Sequence, residues 1–337
     1  MAAIAAAIAA LPAEAQEAEE ASPSEIYAKP LVFKFLTAFA AGETKLANGK
    51  TVIAANWPTV IATEIVRPVK EGQKTPSCTA AFIGPNVVLM AAHCIDNPLT
   101  GQPRGAKVEI GPRRLDLRCE APKSYLDRDP RFSVPRGSDD YALCLMLDQK
   151  APPEALTTLK FEVVDISAPP PKGARVLMVG YGCTEVKPLG ASFEFNQRDG
   201  SLRIADQVVE DPPPGGTGEG AYWMGLASHG SEAMLCPGDS GGPLFTGATS
   251  DEPEGQKATD PEGRTIVSPR RIRGVNSKVL PPRAADGAIV SNVSALGTPA
   301  FSDWARRWLQ QNSNDPAASK PLICGLNAPA GRAPCRS

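Results

Sequence analysis

Short runs of apolar and β-branched residues, separated by turn-forming residues, recur along the chain from residue 59 onward. The run Thr59–Val66 lies between two prolines and is rich in Val, Ile and Thr, which indicates a strand. Further runs of strand length are Thr79–Ile83, Val87–Ala91, Lys107–Ile110, Arg114–Cys119, Tyr141–Leu147, Ala174–Gly180, Ile204–Glu210, Ala221–Ala227, Pro243–Thr246, Ile272–Lys278 and Ala288–Val293. Many short strands at this spacing predict an all-β sandwich or barrel.

One amphipathic helix is predicted near the C-terminus, over residues 301–312. Its apolar face would combine Phe301, Trp304, Trp308 and Leu309. Either of the two polar residues after Phe301, Ser302 or Asp303, can cap its start. We interpret the two tryptophans of this face as core residues.

A proline-rich stretch at 169–173 indicates a stiff linker between two halves of the chain, residues 46–168 and 169–300. Within the second half, residues 247–271 are polar and rich in Asp, Glu, Pro and Gly. This composition predicts a mobile surface loop. Residues 313–337 are interpreted as a Pro- and Ala-rich tail.

The N-terminal residues favour export from the cytoplasm. Ala2–Leu11 is a short apolar run, and Ala13–Ala15 is similar to a small-residue cleavage site. Because no Lys or Arg precedes the run, we interpret residues 1–15 as a truncated signal peptide, and an alanine-rich disordered tail is the alternative. Residues 16–45 mix acidic, Ser and Pro residues with an apolar patch, and we interpret them as a leader or propeptide outside the core.

Composition narrows the function classes. The 337 residues include 35 basic and 37 acidic side chains without a basic stripe, which disfavours nucleic acid as a partner. No apolar stretch has the length that a membrane span needs. Eight cysteines without a Cys-x-x-Cys spacing indicate disulfides in an oxidising compartment and not a zinc site, the alternative being free cysteines in a cytosolic protein.

Three local frames contain the residues of a nucleophilic site: Ala91–Cys94 around His93, Asp140–Leu143, and the run Cys236–Leu244 around Ser240. A serine hydroxyl attacks a carbonyl only when a base takes its proton, and an imidazole has a suitable pKa. The second histidine, His229, lies in a polar stretch that we interpret as a loop. Asp139 is an alternative to Asp140 as the carboxylate that orients His93.

The order His, Asp, Ser, together with the Gly-Asp-Ser-Gly-Gly-Pro run, resembles the trypsin/chymotrypsin-like serine proteases. The resemblance covers residues 46–310 and implies two six-stranded antiparallel Greek-key barrels followed by a C-terminal helix. It also implies that Ser240 attacks, His93 transfers the proton and Asp140 orients His93. The oxyanion hole would be the N–H groups of Gly238 and Ser240. No metal or other cofactor is implied.

The resemblance also narrows the disulfide pattern. The family usually pairs the cysteine at the Cys236 position with one downstream, but this chain has no cysteine there until Cys324, and this departure leads us to expect a bridge to Cys183. One bridge would staple the histidine loop, one would join neighbouring strands of the first barrel, one would tie the loop after residue 180 to the serine segment, and one would close a small C-terminal loop. The pairs in that order are Cys78–Cys94, Cys119–Cys144, Cys183–Cys236 and Cys324–Cys335.

The run Lys45–Gly49 resembles the activation site of this family. Cleavage after Lys45 by an activating protease would free an amino group at Leu46, which would pair with Asp239. The alternative is an ordinary Asn-Gly turn in an enzyme that needs no processing. Leu and Ala stand where the family usually has Ile and Val.

Substrate preference follows from the residue six positions before Ser240, which the family places at the base of its specificity pocket. Met234 stands there and cannot pair with a basic side chain. Ser277 would begin one pocket wall, and Val279 and Ala288 would make the pocket shallow. The resemblance therefore implies cleavage after small or medium apolar residues.

The sequence predicts a secreted or periplasmic serine endopeptidase that acts on polypeptides. The alternative from another class is a non-catalytic homologue that acts as a binding protein. Homologues of that kind typically lose a triad residue, whereas all three are present here. An esterase on the same scaffold is a third alternative.

Overall fold

The computed structural model describes residues 29–35, 49–52, 56–63, 78–127, 137–147, 153–183, 186–189, 192–195, 201–216, 220–259 and 262–337. Strands dominate these residues, as the alternation of short apolar runs and turns predicts. In chain order they are β1 (Leu31–Phe35), β2 (Lys50–Thr51), β3 (Val60–Thr63), β4 (Thr79–Gly84), β5 (Val87–Met90), β6 (Ala106–Ile110), β7 (Arg113–Glu120), β8 (Ala142–Leu147), β9 (Arg175–Gly180), β10 (Val186–Leu189), β11 (Ser192–Phe195), β12 (Arg203–Val208), β13 (Trp223–Ser228), β14 (Pro243–Thr246), β15 (Gly255–Thr259), β16 (Thr265–Pro269), β17 (Arg271–Val279) and β18 (Ile289–Ala295).

Four helices are present in the described residues: α1 (Ala92–Ile95), α2 (Lys123–Leu126), α3 (Glu154–Thr157) and α4 (Pro299–Asn312). The C-terminal helix α4 buries Phe301, Trp308 and Leu309, as its amphipathic pattern predicts. Its predicted start was wrong by two residues. The side chain of Thr298 accepts a hydrogen bond from the N–H of Phe301, and a proline follows at the first helical position. No helix in the described ranges is long and apolar enough to cross a bilayer.

Two sheets form the body of the protein, and both are almost entirely antiparallel. The first closes into a barrel in the order β1-β3-β4-β5-β8-β7-β6. The second has the order β13-β18-β17-β14-β9-β12-β2. The predicted all-β architecture with a C-terminal helix is confirmed, but each sheet contains seven of the described strands and not six.

The additional strands come from the N-terminal part of the chain, and here the interpretation as a leader outside the core was wrong. Residues 31–35 form β1 of the barrel, with Leu31 and Phe33 in the core. Strand β2 pairs with β12 of the second sheet. The 169–173 linker therefore does not separate the two sheets completely, because a strand that precedes it belongs to the second sheet. Local composition did not reveal these strands, because their partners are distant in sequence.

The polar insertion at 247–271 is a second correction, because the structure shows a hairpin where a mobile loop was predicted. Strands β15 and β16 pair over five residues each. Two apolar side chains on β16, Ile266 and Val267, are about half exposed. Residues 265–268 of β16 are all exposed, so no alternating buried face marks this strand in the sequence.

The segment after α4 is part of the packed structure. The Cys324 N–H donates to the carbonyl oxygen of Ile83 on β4, and the Val164 N–H donates to the carbonyl oxygen of Cys324. The side-chain amide of Asn86, in the turn between β4 and β5, donates to the carbonyl oxygens of Ser319 and Lys320. The residues after α4 thus form hydrogen bonds both with the first barrel and with the segment between β8 and β9.

A fully buried ion pair joins the 253–270 region to the rest of the molecule. The guanidinium of Arg270 donates to both oxygens of Glu162, at 3.1 and 2.5 Å, and lies 3.8 Å from the ring centre of Trp57. The Thr59 hydroxyl donates to the same carboxylate. Removing one partner of a buried ion pair leaves an uncompensated charge away from water, which is strongly destabilising.

We expect Arg270→Met to lower the free energy of unfolding by about 3–5 kcal/mol, because it leaves the Glu162 carboxylate buried with weaker partners. Arg336, whose Nε lies 3.6 Å from Glu162, offsets part of the loss. Chemical denaturation measures the change. The control is Arg264→Met, which removes a pair with Glu262 on the surface and should cost at most about 1 kcal/mol. Equal losses in the two variants would contradict the prediction.

Candidate active site

His93 lies on the short helix α1, directly after the buried strand β5. Ala91 has an extended backbone, and the helical turn begins at Ala92, whose side chain is buried beside Cys94. This geometry leaves the His93 side chain about one-third exposed at the surface of the barrel. The Cys78–Cys94 disulfide fixes the helix to the start of β4.

Asp140 holds His93 through two contacts. His93 Nδ1 lies 2.7 Å from Asp140 Oδ2, and the His93 backbone N–H donates to Asp140 Oδ1 at 2.8 Å. The Ser277 hydroxyl also donates to Asp140 Oδ2, at 2.6 Å. The neighbouring Asp139 instead accepts a hydrogen bond from Ser124. Of the two adjacent carboxylates, Asp140 is the one that contacts His93.

These contacts change the pKa values of both groups. Burial lowers the pKa of His93, whereas the negative charge of Asp140 and its hydrogen bond raise it. The raising effects outweigh burial, so the pKa lies above its ordinary value. Burial raises the pKa of Asp140, but the His93 charge and the hydrogen bonds from His93 and Ser277 bring it below its ordinary value. Asp140 is therefore ionised at neutral pH, and it fixes which nitrogen of His93 carries the proton.

Ser240 lies in the turn before β14, on the second sheet. Its hydroxyl donates to the carbonyl oxygen of Ser277 at 3.3 Å. Because the Ser277 hydroxyl contacts Asp140, Ser277 joins the serine to the Asp140–His93 pair. The carbonyl oxygen of Ser240 lies 3.8 Å from the Cys94 sulfur, next to His93 in the chain. The structure thus brings the three predicted residues together at the junction of the two sheets.

The backbone around Ser240 presents two N–H groups. Gly238 has a φ of +108°, which residues with a Cβ rarely adopt. The N–H groups of Asp239, Gly241 and Gly242 donate to backbone carbonyl oxygens. Within the described part of the chain, the N–H groups of Gly238 and Ser240 have no acceptor. A pair of N–H groups of this kind can stabilise a negatively charged oxygen.

The conformation of this turn depends on residues that sequence reasoning missed. Asp239 Oδ1 accepts a hydrogen bond from the Gly182 N–H at 2.8 Å, and Oδ2 accepts one from the Cys236 N–H at 2.9 Å. A Cβ on Gly182 would lie 2.4 Å from Asp239 Cγ, so only glycine fits there. Thr79 donates its hydroxyl to the Gly238 carbonyl oxygen at 2.7 Å. The Thr79 contact joins distant strands, and no local pattern indicates it.

The four disulfides of the structure pair the cysteines as predicted: Cys78–Cys94, Cys119–Cys144, Cys183–Cys236 and Cys324–Cys335. Cys78, His93 and Cys94 are close enough to form a cluster of metal ligands. The disulfide removes both thiolates, however, so this group does not offer a metal the ligands that it needs. The Cys183–Cys236 bridge ties the loop after β9 to the serine turn, where the Cys183 N–H also donates to the Pro237 carbonyl oxygen.

Met234 packs in a small apolar cluster with the Cys183–Cys236 disulfide, Ile289 and Val279. The structure therefore brings together two of the residues that sequence reasoning placed in the specificity pocket. Ala288 is fully buried, but its neighbour Ile289 is the one that joins this cluster. Ile289 was missed because the pairing of β17 with β18 shifts register between Asn276 and Lys278, which the sequence does not reveal.

The residues of the predicted activation site, Lys45 and Leu46, lie outside the described residues. Their predicted partner Asp239 is fully buried.

The chain matches one family model and is similar to several known proteins. The family model for trypsin matches residues 47–255. Bovine chymotrypsin-C is 26% identical over 213 residues, which are 59% of this chain and 72% of the relative. Among solved structures, a mutant of human heparin-binding protein (CAP37) aligns at 16% identity and a TM-score of 0.48, covering 80% of this chain and 99% of its own. Neuropsin, a serine protease from mouse brain, aligns at 17% identity and the same TM-score, covering 77% and 98%. Because the trypsin family model matches more than half of the chain, the chain belongs to the trypsin family.

Proposed function

We propose that this protein is a secreted serine endopeptidase that hydrolyses peptide bonds through an acyl-enzyme. The observation that carries the proposal is the contact chain at the junction of the sheets. Asp140 binds Nδ1 of His93, and Ser277 contacts both Asp140 and Ser240. Two N–H groups without acceptors lie beside the serine within the described residues.

The reaction uses these groups in turn. The Ser240 hydroxyl turns from the Ser277 carbonyl oxygen towards His93 and attacks the carbonyl carbon of the substrate, while Nε2 of His93 accepts the hydroxyl proton. The N–H groups of Gly238 and Ser240 stabilise the oxyanion. His93 then donates the proton to the departing amine. Water attacks the acyl-enzyme by the same route and releases Ser240.

Labelling by diisopropyl fluorophosphate tests the nucleophile. We expect one adduct per molecule, on Ser240, in the processed protein, and hydrolysis of casein by the same preparation. A non-catalytic homologue would give neither result. Labelling without casein hydrolysis, but with hydrolysis of simple esters, would indicate an esterase and contradict the endopeptidase proposal.

The preference for small or medium apolar residues remains part of the proposal, and the Met234 cluster supports it. The described members of this cluster are all apolar, so a basic side chain buried against Met234 and Ile289 would gain no charged partner from them, which is costly. Chromogenic peptides that end in Ala, Val, Leu, Phe or Arg compare the options by kcat/KM. We expect Ala, Val or Leu to be best. A tenfold preference for Arg, about 1.4 kcal/mol of transition-state discrimination, would contradict this.

Secretion and activation complete the proposal. Disulfides and the apolar N-terminal run support a secreted or periplasmic location. We propose that an activating protease cuts after Lys45 and that the new amino group of Leu46 pairs with Asp239. N-terminal sequencing of the active form tests the cut. Full activity of an uncleaved Lys45→Gln protein would contradict it.

A further inference from the structure

The first described strand, β1, is paired along both of its edges. It pairs in parallel with β6 over five residues, from Leu31 with Ala106 to Phe35 with Ile110. On its other edge it pairs antiparallel with β3, where Phe33 lies opposite Thr63. The barrel is closed only because β1 stands between β3 and β6.

Side chains of β1 alternate as the interior of a barrel requires. Leu31 and Phe33 are buried in the main core, and Phe33 is completely inaccessible to solvent. Val32 and Lys34 between them are partly exposed, and Lys34 Nζ lies 3.9 Å from a carboxylate oxygen of Glu109 on β6. Removal of β1 would expose the apolar interior and two unpaired strand edges.

The proposed activation site lies downstream of this strand. Lys45 stands between β1, which belongs to the barrel, and β2, which belongs to the second sheet. A cut after Lys45 breaks one peptide bond but none of the hydrogen bonds of β1. The segment before the cut therefore keeps its place unless it can dissociate from both neighbouring strands at once.

We propose that the segment containing residues 29–35 is not discarded on activation but remains in the barrel as a second, non-covalently bound chain. Its binding surface is the gap between β3 and β6, and its occupant is the protein's own β1. The mature protein would then consist of two chains. This proposal rests on the proposed function only for the place of the natural cut, after Lys45.

The test uses a cut that does not depend on the protein's own activity. A recognition sequence for a site-specific viral protease replaces residues 40–45 in the full-length Ser240→Ala protein, which cannot digest itself. After complete cutting, size-exclusion chromatography separates bound from free peptide under native conditions. We expect the N-terminal peptide to co-elute with the body of the protein in a ratio near one, and to separate only in denaturant.

Two substitutions serve as a matched pair. Phe33→Ser removes the fully buried ring, and the cut peptide should then separate from the body under native conditions. Val32→Ser changes the adjacent, partly exposed side chain, and the peptide should remain bound. If Phe33→Ser prevents folding of the uncut chain, a second measurement on the cut parent protein replaces it. The cut protein is mixed with an excess of labelled peptide of residues 28–36, and the rate at which this peptide replaces the bound one is followed. Replacement that takes hours supports a retained strand.

Release of the parent peptide on cutting, with the remaining chain unchanged in its melting temperature, would overturn the proposal. Because Ser240→Ala is inactive by design, that outcome leaves the proposed protease function untouched. Conversely, a failure of Ser240 to react with diisopropyl fluorophosphate would leave the retained strand untouched.

Discussion

The Ser240→Ala protein should hydrolyse its best peptide substrate with a kcat about 10⁶-fold below that of the parent, the loss seen when the nucleophile of a comparable triad is removed. Without the hydroxyl, no acyl-enzyme forms and His93 has no proton to accept. The residual rate would come from the N–H groups of Gly238 and Ser240 and from substrate binding. Initial rates with the peptide chosen from the chromogenic series measure the change.

The fold of this variant should not change, because the described hydrogen bond of the Ser240 hydroxyl is a single, 3.3 Å contact to the Ser277 carbonyl oxygen. An unchanged melting temperature provides the control. Ser302→Ala, on the exposed side of the C-terminal helix, removes a comparable local hydrogen bond and should keep full activity. A Ser240→Ala protein that retains a tenth of the parental activity would contradict the assignment of the nucleophile.

The second large effect is expected for Asp140→Asn, which should lower kcat by about 10⁴-fold. Replacement of the triad aspartate by asparagine has an effect of this size in a serine protease with the same triad. Asp140 accepts from the His93 backbone, the His93 ring and Ser277. An amide has only one accepting oxygen, so one of these donors would face an N–H₂ group. The imidazole would then turn or adopt the other tautomer.

The pH profile distinguishes this cause from a general distortion. His93 must be neutral to accept the serine proton, and its pKa is raised mainly by Asp140 against the opposing effect of burial. Parental activity should therefore fall as pH decreases through that raised pKa. In Asp140→Asn the raising charge is gone and burial remains, so the acid limb should move to lower pH. Asp139→Asn is the matched control, and an equal loss or an equal shift there would contradict the role of Asp140.

Much of the fold could be predicted because the strand signals are local. The runs around β5, β8, β9 and β14 begin and end within about two residues of their predicted bounds, since apolar segments between turn residues are buried on both sides. The helix start was missed although Thr298 followed by proline is itself a start signal. Strand β1 could not be placed from sequence, because its partners at 60–63 and 106–110 lie far along the chain.

In the candidate site, too, local features could be predicted from the sequence, whereas contacts between distant segments could not. The frames around His93, Asp140 and Ser240 are each visible in a few consecutive residues, and the structure brings them together. Contacts across the sheets were not visible in that way. Thr79 and Gly182 hold the serine turn through hydrogen bonds between segments more than fifty residues apart, and Ile289 joins Met234 across a similar distance.

The contacts of the last residues with the first barrel also constrain when this protein can fold during synthesis. The turn between β4 and β5, at residues 83–86, receives its hydrogen-bond partners from residues 319–324. A ribosome releases those residues only after all the described strands of both sheets have been made. Although domains often fold from the N-terminal side as they emerge, the first barrel here acquires these contacts only after the second sheet has been made. A premature stop codon before residue 319 would therefore leave the N-terminal half, and not only the C-terminus, incomplete.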